Sequence, residues 1–203
     1  MPRRLLMTVA LSACATRVIG VPPSSLAERD LRDASISLAF DYAPYRVRGT
    51  SEDAIRRSLD RRSTYQDGQG QTWDGGTTWQ FRWSWDTELV DGCRITRPQL
   101  SGSVTVTVPA LIVPRRADGA AVDRFTGYLD ALWQHELGHV ERAERGARTL
   151  IDTLASLPPQ PTCAQAHAAA KAAGAAAMKA LDVEQRIYDR DTQHGATQGA
   201  SFP

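Results

Sequence analysis

The spacing of apolar and polar residues changes midway along this chain. In the first half the period is two. Ile36-Ser37-Leu38-Ala39-Phe40 alternates apolar with small or polar residues, and so does Tyr45-Arg46-Val47. Pro44 between them predicts a break into two strands. From Thr77 to Trp85 the residues Trp79, Phe81, Trp83 and Trp85 alternate with Gln80, Arg82 and Ser84. That pattern predicts a strand with one aromatic and one polar face. A row of tryptophans can serve as a platform for carbohydrate or peptide, but packing on a core is the commoner use. Cys93 to Arg97 predicts a short strand. Gly102 to Val108, with Val104, Val106 and Val108 set against Ser103, Thr105 and Thr107, predicts a half-buried one.

Helical signals interrupt and then replace this alternation. Ser51 reads as an N-cap, Glu52 and Asp53 fill a first turn, and Arg61 and Arg62 fill a last one, so the charges follow the helix dipole. Ile55 and Leu59 supply that helix with an apolar stripe. Residues 66–76, rich in Gly, Gln and Asp, read as a loop. Asp118 to Leu157 predicts helix, stopped by Pro158-Pro159, with Gly127 as a candidate internal start. Thr162-Cys163-Ala164-Gln165 is a capping-box pattern opening an alanine-rich helix from Ala166 to about Asp189. Strands first and helices second predict an α+β domain, a small antiparallel sheet followed by a long helix and a second, alanine-rich one.

Composition narrows the setting. The 203 residues are 42% hydrophobic and 23% charged, with a formal net charge of +1. These values suit one soluble domain and offer no bulk attraction for nucleic acid. No apolar run reaches the 18–20 or so residues of a membrane span. The chain starts with Arg3-Arg4 and a short apolar run, Leu5 to Leu11, then Leu11-Ser12-Ala13-Cys14. This resembles a bacterial lipobox, which predicts a signal peptide at 1–13, a lipid on Cys14 and a Pro/Ser-containing tether at 14–35. Cleavage after Ala15 and a cytoplasmic start are the competing readings. Ala15 lacks the aspartate that retains lipoproteins at the inner membrane, so the expected location is periplasmic, anchored to the outer membrane. Three cysteines cannot all pair within one chain. With Cys14 lipidated and the chain exported, Cys93 and Cys163 are left to form a disulfide.

Within the predicted second-half helix stands His135-Glu136-Leu137-Gly138-His139. Residues four apart project from one helix face, so both imidazoles can bind one zinc ion. Glu136 sits beside the first ligand and can take a proton from water without binding the metal. A catalytic zinc keeps three protein ligands and one open position. Arg142 and Arg145 occupy the places where a metzincin would have glycine and histidine, so the third ligand lies farther along. Candidates are Asp152, His167, Asp182, Glu184, Asp189, Asp191 and His194, and the position of His194 after the last helix favours it. Asp189 and Asp191 are also candidates to orient a ligand imidazole. Tyr188 is a candidate donor to a developing oxyanion, or simply a packing aromatic.

The chain then resembles a known group, the predicted secreted zinc-dependent proteases of bacteria gathered as domain of unknown function 922. The resemblance rests on Tyr45-Arg46-Val47-Arg48-Gly49-Thr50, Thr78-Trp79, Asp91-Gly92-Cys93 with Ile95, and Val108-Pro109. It continues through His135-Glu136-x-x-His139, Cys163, Tyr188-Asp189-x-x-Thr192-x-His194-Gly195, Gln198-Gly199-Ala200 and Phe202-Pro203. It implies that the tail belongs to the site and strengthens His194 as third ligand. The resulting expectation is one zincin-like domain over 36–203 with one zinc on His135, His139 and His194 and Glu136 as general base. It would hydrolyse peptide or related amide bonds of the cell envelope, with Ser103–Val108 as an edge strand that pairs with substrate. Its partners would be a peptide or protein substrate and, through the lipid alone, a membrane. The alternatives are a non-catalytic metal-binding lipoprotein and a peptidoglycan peptidase or amidase.

Overall fold

The computed structural model describes residues 17–203 except Glu28 and Gln69, so the expected signal peptide and Cys14 lie outside the described residues. The elements run β1 (Val18–Ile19), α1 (Ser24–Ala27), β2 (Leu31–Arg32), β3 (Ile36–Val47) and α2 (Glu52–Arg62). There follow β4 (Tyr65–Gln66), β5 (Thr72–Trp73), β6 (Gly76–Leu89), β7 (Cys93–Ile112), α3 (Gly119–Ala155), α4 (Cys163–Thr192) and a 3₁₀ turn at Ala196–Gln198. The fold is α+β, a five-stranded sheet followed by a pair of long helices.

The strands are fewer and longer than their sequence pattern predicts. β3 runs through Pro44 without a break, because only Ser37 and Leu38 pair with β2 and the rest of that edge is open. A missing N–H can be left on an open edge at no cost to the ladder. β7 is one 20-residue strand where two short ones were expected. Its irregularity is absorbed by a bulge: Ser84 pairs with Gln99 and Asp86 with Thr96, leaving Arg97 (φ 44°) and Pro98 opposite Trp85. Pro109 falls between the last residue paired with β6, Thr107, and the first paired with β1, Leu111.

β7 is the spine of the sheet. It pairs in parallel with β3 and antiparallel with β6, so the sheet is mixed and not the antiparallel one expected, and Ser103–Val108 is an interior segment, not the expected edge strand. The free edge on that side belongs to β6. Residues 66–76 also depart from a plain loop, since β4 and β5 form a two-stranded hairpin with Tyr65 opposite Trp73. Part of the expected tether is built in as well. β1 pairs with the end of β7, β2 pairs with β3, and Leu26 and Leu31 are buried.

The core lies between the sheet and α3. Val104, Val106 and Val108 are fully buried with Phe125, Val140 and Ala143. Register puts Trp79 opposite Val104 and Trp83 opposite Leu100, so the aromatic row faces the helices. Trp83 packs on Gly174 of α4, and Trp85 Nε1 donates to His167 Nδ1 at 2.9 Å. The row is therefore core packing. α3 is one unbroken helix of 37 residues capped by Asp118, with Gly127 inside it. No helix among the described residues is long and apolar enough to cross a membrane.

Cys93 and Cys163 form the expected disulfide, joining the start of β7 to the start of α4. Two backbone hydrogen bonds between Cys93 and Gln160 (2.7 and 2.8 Å) brace the same corner. Closing a loop of about 70 residues restricts the unfolded chain, and such a bridge is worth about 2–4 kcal/mol. Cys163→Ser is expected to lower the unfolding free energy by that amount in a denaturant titration. Reductant should destabilise the wild type equally and leave the variant unchanged.

Candidate metal centre

α3 carries the His-Glu-x-x-His string at its most buried stretch. His135, Glu136 and His139 are only 3%, 2% and 6% exposed. Successive helical residues point about 100° apart, so the Glu136 carboxylate leaves the helix in a different direction from the two imidazoles, which share a face. The imidazoles face the end of α4. Glu136 faces β6, where Thr77 continues the inward face of the aromatic row.

α4 brings the third group. Asp189 Oδ1 lies 2.9 Å from His139 Nε2 and 3.3 Å from His135 Nε2, and the two Nε2 atoms are 3.2 Å apart. A tetrahedral zinc with bonds of about 2.0–2.2 Å would set its ligands about 3.3–3.5 Å apart. The three donors therefore trace one face of such a site. Asp189 completes this set, not the favoured His194. Gln193, His194 and Gly195 are all left-handed (φ 51°, 52° and 82°), turning the chain sharply at the end of α4. His194 is carried to a flat stack on Trp73, 3.8 Å between ring centres, with its Nδ1 3.6 Å from Asp189 Oδ1. It stands beside the set and outside it. Of the other candidates, Glu184 pairs with Arg145, Asp191 with Arg190 and His167 with Trp85, while Asp182 lines the cleft and, like Asp152, stands outside the close set.

Both imidazoles are held from behind. His139 Nδ1–H donates to Gln185 Oε1 at 2.6 Å, and Gln185 Nε2 donates back to the His139 carbonyl at 3.1 Å. His135 Nδ1–H donates to Gln198 Oε1 at 3.0 Å. With protons on Nδ1, both Nε2 atoms offer lone pairs to the same point. Sequence reading missed both glutamines as partners of the imidazoles, although Gln185 falls four residues before Asp189, on the same helix face. Gln185→Ala is expected to weaken zinc binding by about 10–100-fold. Competition against a chelating dye measures this, and a change under threefold would refute the role.

Tyr188 does not reach the open side. Its hydroxyl donates to the His135 carbonyl (3.2 Å), its ring stacks on His135, and Arg142 covers it at 3.6 Å. Gly138 makes this fit, since a Cβ there would collide with the Tyr188 hydroxyl. Tyr188 is a packing aromatic.

The charges follow from burial and proximity. Burial pushes the Glu136 carboxyl above the ordinary carboxylate range, against the pull of the two imidazoles and of the Thr77 hydroxyl, which donates to Oε2 at 2.8 Å. Burial acts to lower the His139 pKa, but the Asp189 hydrogen bond and the charges of Glu136 and Asp189 outweigh it and hold it raised. Burial acts to raise Asp189, yet hydrogen bonds from His135 and His139 hold it well below the usual range.

A cleft of about 1000 Å³ opens over these groups. Its far wall is the turn from β5 into β6, pinned by Asp74. Arg56 grips that carboxylate with two bonds (2.8 and 2.6 Å) and the Tyr128 hydroxyl adds a third (2.9 Å). The turn then passes Gly75, where a Cβ would lie 3.2 Å from Glu136 Oε1.

A family described as "Bacterial protein of unknown function (DUF922)" matches residues 42–195, a span that holds every residue of the centre except Gln198. No curated protein and no solved structure matches the chain significantly.

Proposed function

We propose that this chain, which belongs to the DUF922 family of bacterial proteins of unknown function, is a zinc-dependent metallopeptidase. One observation carries the reading. Two imidazole nitrogens and a carboxylate oxygen converge within 3.3 Å of one another, an arrangement that needs positive charge at its centre, supplied by imidazole protons in the metal-free protein and by a metal cation in their place when one is bound. Nitrogen and oxygen donors of this kind suit zinc. His135, His139 and Asp189 would hold it, leaving one position open. When bound, zinc lowers the pKa of its water and polarises a carbonyl.

The chain's own residues do the rest. Glu136 takes a proton from the attacking water and passes it to the leaving amine. Thr77 fixes the carboxylate that performs both transfers. The open edge of β6 starts next to this carboxylate and is the strand on which an extended peptide would lie. In this reading the domain is zincin-like. It is exported and lipid-anchored in the periplasm, and it acts on peptide or related amide bonds of the envelope. The second reading, a closed structural or storage site, draws on His194, whose Nδ1 is 3.6 Å from Asp189 and could add a fourth ligand. Incubating the zinc-loaded protein with a degenerate peptide library, and separately with purified cell wall, tests the proposal. New amino termini that vanish on chelation support it. No cleavage of either material at stoichiometric zinc would leave the second reading standing.

A further inference from the structure

We propose that Tyr65 is a further catalytic residue, donating a hydrogen bond from its hydroxyl to the carbonyl oxygen of the bond under attack. The inference rests on the peptidase reading above.

The chain has five tyrosines. Four have their hydroxyls committed. Tyr42 donates to the Gly20 carbonyl, Tyr45 to the Asp74 carbonyl, Tyr128 to the Asp74 carboxylate and Tyr188 to the His135 carbonyl. The Tyr65 hydroxyl alone makes no hydrogen bond among the described residues, although its ring is half-buried and its backbone is paired with Trp73. It opens the β4–β5 hairpin, and its ring lies across the chain at Gly76. A Cβ on Gly76 would collide with Cζ and Cε1, the hydroxyl end of the ring. The next residue, Thr77, is the one bonded to Glu136. Tyr65 therefore stands over the start of β6, lining the same cleft as His135, Glu136 and Asp189. Glu136 and Asp189 reach the cleft from α3 and α4, and Tyr65 reaches it from the β4–β5 hairpin.

Burial first, and then the negative charges of Glu136 and Asp189, push the Tyr65 phenol up to about 12. It stays a proton donor at neutral pH. The chemistry needs such a donor. As water oxygen bonds to the carbonyl carbon, its proton passes to Glu136 and the π electron pair moves onto the carbonyl oxygen. That oxygen takes the Tyr65 hydrogen bond. The pair then returns, the C–N bond breaks and the nitrogen leaves with the proton from Glu136. Tyr65 keeps its own proton throughout. Removing one such donor costs about 10²–10³-fold in kcat.

The test compares Tyr65→Phe with the wild type as the full zinc-loaded protein, on the best-cleaved library peptide. We expect kcat to fall about 100-fold or more, with KM within about threefold and zinc stoichiometry unchanged. A phosphinic version of the same peptide mimics the tetrahedral oxygen. By calorimetry it should bind the Phe variant at least about tenfold more weakly, and should do so in a Glu136→Gln background where no turnover occurs. A kcat within threefold of wild type, or unchanged phosphinic affinity, overturns the assignment of Tyr65. Failure of the peptidase reading would look different: Glu136→Gln would be as active as wild type, or wild type would cleave nothing, and the Tyr65 proposal would fall with it.

Discussion

Glu136→Gln is expected to abolish hydrolysis while leaving zinc bound. Loss of a general base costs about 10²–10⁴-fold in rate. The upper end applies here, because Asp74, the carboxylate in the cleft's far wall, is already gripped by Arg56 and the Tyr128 hydroxyl. Asp189, the nearest alternative, is already engaged by both imidazoles. The amide keeps the shape of the side chain and its oxygen can still accept from Thr77. Burying a carboxylate is costly, so replacing this one by a neutral group should leave stability equal or slightly raised. Turnover of the cleaved peptide, zinc content by mass spectrometry and a thermal midpoint give the three readings. Lost turnover with lost zinc or a lower midpoint would mean that Glu136 is structural.

The second large effect separates Asp189 from His194. Structural zinc sites with four ligands gain about 10–16 kcal/mol, so one ligand is worth about 3 kcal/mol, or at least about a hundredfold in affinity. Asp189→Ala should weaken zinc binding by that factor. His194→Ala should change it less than about tenfold, since the ring stacks on Trp73 and its nitrogen stands outside the close set. The reverse order would return the third ligand to His194, as the sequence favours. Equal large losses would mean four ligands and a closed site.

Some of this is visible in the sequence for plain physical reasons. The His135/Glu136/His139 group is local: its geometry follows from helical spacing alone. Caps at Ser51 and Thr162 and the pairing of Cys93 with Cys163 are also local or follow from counting. Strand lengths are not local. Pro44 reads as a break, but which edge of a strand is open depends on pairing partners far along the chain. Which group joins the two imidazoles is not local either. Asp189 and His194 are both near the end of α4, and three left-handed residues decide which of them reaches the imidazoles. Gln185, Thr77 and Tyr65 bear no mark in the sequence, because their roles depend on how α4, β6 and the β4–β5 hairpin pack against α3.

The most direct test of the account is a crystal structure of the zinc-loaded protein with anomalous scattering collected at the zinc edge. The account predicts one peak bonded to His135 Nε2, His139 Nε2 and Asp189 Oδ1 at about 2.0–2.2 Å, with solvent at the fourth position and Glu136 turned toward it. A peak enclosed by His194 as a fourth protein ligand, or no peak between these residues, would contradict it.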